Sequence, residues 1–209
     1  MPEQHSTTAM GWLPAWADLQ ERPFESAGSG FSVGGGRGTE YVAAWPDPGA
    51  EQFMSRISSE PGARLTLVCA DADTAAGLAP AGLSLAARSI LLMAPAAELD
   101  VDAGLPDTSQ VAQAPMETYD AVEITVFDRP VAKGRIQVRD GFAVVAITEL
   151  PEGPEQEGFQ RAMFASMAEE AFLHGAEYLH MVVPPADAPR YEGSGWTIAG
   201  HLLTFEKQR

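Results

Sequence analysis

Positive charge is scarce in this chain. Lys and Arg number 13 against 29 Asp and Glu in 209 residues, a formal net charge of −16. Phosphate-backbone recognition needs clustered Lys and Arg, so nucleic acid is excluded as a partner. The excess acid favours solubility and biases the surface toward cationic small molecules, through a field that salt screens. Cysteine is nearly missing as well. Cys69 is the single one, so no intrachain disulfide can form; in "RLTLVCAD" it reads as a small hydrophobe on a buried strand. No apolar run approaches bilayer-spanning length. The opening "MPEQHSTTAMGWLPAWADLQERP" has neither the basic start nor the apolar stretch of a secretion signal. The expectation is a cytoplasmic protein without a membrane partner. His5, His174, His180 and His201 match no zinc spacing, and "GSGW" lacks the Gly-x-Ser-x-Gly of a nucleophile elbow, so no metal site is expected.

What is present is an ordinary globular composition, 45% hydrophobic and 20% charged, long enough for a proper core. The periodicity predicts an α/β (α+β) chain. Residues 1–95 read as a small α/β region. In it "FSV" and "TEYVAAW" form a hairpin around "GGGRG", and "AEQFMSRISS" is a helix by the spacing of Phe53, Met54 and Ile57. "ARLTLVCA" and "ARSILLMAP" are strands flanking a short helix opened by Asp73 or Thr74. The glycine cluster Gly28 to Gly38 is followed by no Gly-Lys-Ser/Thr and no helix, so it is not read as a phosphate loop. Residues 96–115, rich in Pro, Ala, Asp and Gly, read as a linker.

Residues 116–209 carry the clearer signal. "DAVEITVFDRP" alternates as a half-buried strand, and Asp140-Gly141 marks a hairpin between two more strands. The strand Phe142 to Leu150 is almost wholly apolar. A helix follows from Phe159 to His174, with Phe159, Met163, Met167 and Ala171 on one ridge and Phe164, Ala168 and Phe172 on the next. Gly175 stops it. "AEYLHMVV" is the next strand, "PPADAPRY" a short helix from about Asp187, and "TIAGHLLTFEK" the last strand or strand pair. Strand, glycine turn, helix and strand make a right-handed crossover, whose ligands sit at the carboxyl ends of the strands. The turn there, "ELPEGPEQEGFQRAM", joins helix N-terminal amides suited to a phosphate with Glu149, Glu152, Glu155 and Glu157, and no Lys or Arg before Arg161. These carboxylates either complement the helix dipole or crowd an anion site.

From about Thr118 to Phe205 the order and spacing resemble the GNAT superfamily of acetyl-CoA-dependent N-acetyltransferases, whose mixed sheet carries flanking helices. "FAVVAITEL" resembles the family's fourth strand, "EQEGFQ" stands at its Arg/Gln-x-x-Gly-x-Gly/Ala pyrophosphate loop, "GAEYLHMVVPP" at its fifth strand, and "RYEGSGW" resembles Leu-Tyr-x-x-x-Gly-Phe/Trp. The resemblance implies acetyl transfer from acetyl-CoA to an amine, a small molecule or peptide and cationic by preference. It implies backbone pairing of Thr148, Glu149 and Leu150 with the pantetheine arm. The pyrophosphate falls to the turn of Gln156, Glu157, Gly158, Phe159, Gln160 and Arg161. Tyr191 would be the general acid and Glu149 a base acting through water. Glu155, Gln156 and Glu157 replace the usual basic residues and Gln160 the second Gly/Ala, a degenerate loop that would weaken binding. A catalytically silent module for ligand sensing, partner contacts or homodimerisation is the alternative. The half-buried Tyr191 as a space-filler and Glu149 as a solvated strand end are the plainer readings of those two residues.

Overall fold

A computed structural model describes residues 10–35, 38–99 and 105–208. The chain runs α1 Leu13–Leu19, β1 Phe24–Ala27, β2 Gly30–Val33, β3 Glu40–Trp45, α2 Pro48–Ser59, β4 Arg64–Cys69, α3 Ala72–Gly77 and β5 Leu83–Pro95. It continues through α4 Ala96–Leu99, β6 Ser109–Pro115, β7 Asp120–Val126, β8 Arg129–Arg139, β9 Phe142–Glu149 and α5 Gln156–Leu173. β10 Tyr178–Val183, a 3₁₀ turn Ala188–Arg190 and β11 Thr197–Lys207 complete it.

All eleven strands form one sheet, in the order β1-β2-β3-β4-β11-β5-β10-β9-β8-β7-β6. The two halves repeat one pattern. β1, β2 and β3 pair antiparallel and β3 pairs parallel with β4 across α2; β7, β8 and β9 pair antiparallel and β9 pairs parallel with β10 across α5. The halves then exchange their last strands. β5 lies against β10, β11 lies against β4, and β5 and β11 pair with each other from Leu83–Lys207 to Met93–Thr197. The mixed fold is therefore not confined to a C-terminal half: it spans the chain.

Local chemistry sets the elements. Asp47 caps α2 by accepting from Gly49 N at 2.7 Å, and Asp71, rather than Asp73 or Thr74, caps α3 by accepting from Thr74 N at 2.7 Å. Asp140 and Gly141 both hold positive φ, 53° and 80°, the turn that the Asp-Gly pair predicts. α5 lies so close to β8 that a Cβ on Gly134 would run into the Met167 methyl. Three buried clusters result: α5 with its sheet face, α2 with β3, β4 and β11, and α1 with the opposite face of the central strands.

Two further sequence expectations are corrected. The stretch 96–115, read as linker, contains α4 and the strand β6, whose seven residues pair with β7. Its apolar content is low because β6 is an edge strand facing solvent along most of its length. Phe172, placed on the buried ridge of α5, is 75% exposed, because the last turn of the helix is covered only on its Ala171 side. α1 and β1 had no periodic signal at so short a length.

Leu92, fully buried on β5, touches the seam between halves. Leu92→Ala is expected to cost about 2–5 kcal/mol, and urea unfolding followed by tryptophan fluorescence and far-UV circular dichroism should give one coincident, lowered transition.

Candidate active site at the parting of two parallel strands

β9 and β10 are held together at only two rungs, Ala143–Leu179 and Val144–His180. β9 runs on to Glu149 and β10 to Val183 without further pairing to each other. Each strand is meanwhile fixed by its other neighbour. β10 pairs with β5 along its whole length, and β9 pairs with β8 as far as Lys133–Glu149. Between Gly134–Ile147 and Lys133–Glu149 the register slips by one, so Thr148 is an extra residue on β9. Such a bulge bends its strand and raises the local twist, here at the end that leaves β10. The equivalent strands of the first half, β3 and β4, stay paired from Glu40–Arg64 to Trp45–Cys69. Among the described strands that cross over a helix, the second half alone opens a wedge.

The helix N-termini differ in the same sense. At α2 the Asp47 carboxylate already occupies the amides, accepting from Gly49 N and from the Ser29 hydroxyl at 3.0 Å. At α5 the capping position is Glu155, and no side chain accepts from the first turn. Gln156 N donates to Gly153 O and Phe159 N to Glu155 O, which leaves the amides of Glu157 and Gly158 pointing out along the axis. The carboxylates do not crowd them. Glu155 is exposed, and Glu157, with 82% of its side chain exposed, pairs with Arg161 at 3.8 Å one turn along. Charges this wet are screened by salt over about 8–10 Å. The expectation of a degenerate loop thus finds no support in this geometry.

The remaining predicted residues fall around the wedge but not at one point. Thr148 donates its hydroxyl to Lys133 O at 3.2 Å, and Glu149, 62% exposed in its side chain, pairs with Lys133 Nζ at 3.1 Å. Leu150 packs partly against the α5 cluster. Gln160 and Arg161, with Phe164, form one wall of a cavity of about 490 Å³, whose other walls are α4 and Gly193 to Gly195. Tyr191, 8% exposed, stands behind that wall: its ring lies edge-on to Phe164 at 6.1 Å and to Trp196 at 6.4 Å. Burial raises the Tyr191 hydroxyl above its ordinary value near 10, with Arg190 opposing and Asp187 reinforcing the shift. It therefore stays protonated, a donor, throughout the neutral range. The Trp196 indole N–H is buried and finds no partner among the described residues.

His180 is the residue the sequence reading passed over. It stands on the last rung before the strands part, 7% exposed, its Nδ1 3.2 Å from Ala143 O. A carbonyl only accepts, so Nδ1 carries the proton and Nε2 keeps a lone pair. Burial lowers its pKa, partly offset by the Ala143 carbonyl, and the ring is neutral at pH 7. Its alternation with Leu179 and Met181 was legible; that β10 turns this face toward a cavity was not. Cys69 is buried as expected, its thiol pushed up to about 11 by burial and then by Asp71, which makes it inert at neutral pH. His5 and positions 36 and 37 of the glycine cluster lie outside the described residues. Among the described residues no group of three His, Cys, Asp or Glu is placed to hold a metal, and no helix is long and apolar enough to cross a membrane.

A group held neutral in the fold but free to protonate when unfolded costs stability as pH falls below its unfolded value near 6.5. Melting temperature should therefore drop between pH 7.5 and 5, and drop less in His180→Gln; equal slopes in thermal scans would contradict the assigned neutral, buried state.

No protein-family model matches this sequence, and no curated protein does either. Solved structures do. A GCN5-related N-acetyltransferase from Kribbella flavida aligns over 100% of this chain and 97% of its own, at 17% identity and a TM-score of 0.65. An acetyltransferase from the GNAT family of Colwellia psychrerythraea covers 98% of both chains at 12% identity and a TM-score of 0.52. A GCN5-related N-acetyltransferase from Sphaerobacter thermophilus covers 84% of this chain and 75% of its own, at 10% identity and a TM-score of 0.54. With the parted strands and open helix terminus, these likenesses establish a GNAT-like fold over nearly the whole chain, both halves included.

Proposed function

We propose that the protein is a GNAT-type acyltransferase that moves an acetyl group from acetyl-CoA to an amine. The observation that carries this reading is the wedge between β9 and β10 beside an uncapped α5 N-terminus. Unpaired backbone at Thr148, Glu149 and Leu150 offers an extended amide chain the ladder its edge lacks, whatever the side chains. The open amides of the first turn of α5, Gln156 to Phe159, suit a pyrophosphate, and Gly158 permits close approach. Gln160 and Arg161 line the adjoining cavity and would meet the nucleotide end.

In this chemistry the amine nitrogen attacks the thioester carbonyl carbon, the C–N bond forms and the C–S bond breaks. Glu149 first takes a proton, through water, from the substrate ammonium and so frees the attacking lone pair; Tyr191 gives its own proton to the departing sulfur and recovers the second proton that nitrogen loses as the amide forms. Tyr191 suits that part because burial keeps it protonated. Glu149 suits its part as an exposed carboxylate at the open end of β9, held by Lys133. The acceptor, as a proposal, is a small molecule or peptide, favoured when cationic by the net charge of −16.

Acetyl-CoA at a hundredfold excess over its dissociation constant should stabilise the chain by about 2.7 kcal/mol, a rise of roughly 5–10 °C in melting temperature. Gly158→Pro removes one first-turn amide at a helical position that tolerates proline, and should abolish the rise without unfolding the protein. An unchanged melting temperature at millimolar acetyl-CoA would leave the silent-module reading in its place. Tyr191→Phe should keep acetyl-CoA binding and lower kcat about 10²- to 10⁴-fold in a thiol-release assay; unaltered turnover would remove Tyr191 from the chemistry.

A further inference from the structure

On the α1 face of the sheet, opposite α5, lies a second cavity of about 590 Å³, within the size range of small-molecule sites. Trp12, Phe142 and Tyr178 supply aromatic walls, and Leu91 and Met93 of β5 supply an apolar floor. The pocket is firmly built on one side: a Cβ on Gly11 would overlap the Phe142 ring, so the segment entering α1 is pressed against that wall. Two polar groups interrupt the apolar lining. His180 presents a ring whose Nδ1–H is spent on Ala143 O, leaving Nε2 an acceptor without a hydrogen-bond partner among the described residues. Glu177 is exposed and brings a carboxylate to the same lining. The position of His180 is as telling as its chemistry. It belongs to the last rung of the β9–β10 ladder, so this cavity reaches the closed end of the wedge from the face that α5 does not cover.

We propose that this cavity is the acceptor site, and that it takes a small primary amine carrying an aromatic or similarly apolar body. The proposal rests on the acyl-transfer reading for the word acceptor, and on the cavity alone for the class of ligand. An ammonium has N–H groups to donate and a positive charge; the cavity offers a lone pair on His180, a carboxylate on Glu177 and aromatic faces that attract cations. An anion of the same shape would meet the carboxylate and the lone pair, both repulsive. A very polar amine would leave Trp12, Phe142, Leu91 and Met93 uncovered. Bound this way, the ammonium lies against His180 and Glu177 at the foot of the β9–β10 ladder, and the apolar body fills the space beneath α1.

The test is calorimetric titration of the full chain with phenethylamine and with phenylacetate, in the absence of acetyl-CoA. The expected result is binding of the amine and none of the carboxylate. Two substitutions probe the cavity without touching the α5 face: Ala199→Leu, which fills it from β11, and Tyr178→Ala at a residue 42% exposed. Each should weaken phenethylamine binding by about tenfold, the effect of losing roughly 1.4 kcal/mol of contact, while the melting shift with acetyl-CoA stays as in the parent. His180→Gln should raise the KM for phenethylamine and leave the acetyl-CoA shift intact. Equal binding of amine and carboxylate would overturn the proposal, as would undiminished amine binding in Ala199→Leu and Tyr178→Ala. A chain that shifts with acetyl-CoA yet ignores millimolar phenethylamine would overturn it too, leaving acyl transfer standing. A chain that binds the amine with these sensitivities but ignores acetyl-CoA would instead uphold the ligand class and count against acyl transfer.

Discussion

Everything at the candidate site depends on β9 and β10 being held apart by their outer neighbours. Parallel strands with free edges would zip together, since an unpaired backbone group shielded from water costs as much as a lost hydrogen bond. Here β10 is committed to β5 over six residues and β9 to β8 up to Glu149, with the Thr148 bulge bending the latter away. The wedge is thus a property of four strands. β5, which anchors one side of it, comes from the first half of the chain, so the half without a wedge of its own builds the wedge of the other.

That exchange accounts for the contrast between two similar halves. β3 and β4 pair to their ends, and the helix after β3 has its amides filled by Asp47. β9 and β10 part, and the helix after β9 has no side-chain cap. The first half also closes over a polar tie. Glu40 accepts from Arg22 at 2.7 Å and from the Thr66 hydroxyl at 2.6 Å, and Thr66 meets Thr204 of β11 at 2.8 Å. A buried threonine with its hydroxyl satisfied on both sides locks β3, β4 and β11 in register. One half is a support and the other carries the opening, on the same strand order.

The acidic turn shows why charge in a sequence does not translate directly into charge at a site. Four glutamates between positions 149 and 157 look hostile to a diphosphate. Glu157 is spent on Arg161 at the surface and Glu149 on Lys133, both largely in water. At that exposure water and salt weaken their field, which fades over about 8–10 Å. The amides of α5 act at contact distance, where direction and not net charge decides the interaction. On the other face the balance is reversed: a few apolar walls, one imidazole lone pair and one carboxylate favour a cation over its anionic counterpart.

The sequence alone determined the elements whose signal is local. Alternation in "DAVEITV", the Asp-Gly turn at 140–141, the helical ridges of Met163 and Met167, and the αL stop at Gly175 all reappear, because pleat, turn and helix are fixed by neighbours within a few residues. The crossover around α5 and its place beside the candidate ligand amides were legible for the same reason. Short or edge elements were not: β1 and β6 bury too little per residue to write a pattern, α1 is only seven residues long, and Phe172 kept the helical period on a last turn that is covered only on its Ala171 side. Only the tertiary structure decided that β5 and β11 change places, that Glu155 and Glu157 face solvent, and that His180 stands at the vertex of a wedge. Those facts are set by pairing between residues a hundred or more positions apart, such as Thr66 with Thr204 and Met93 with Thr197, and no local period can encode a partner at that distance.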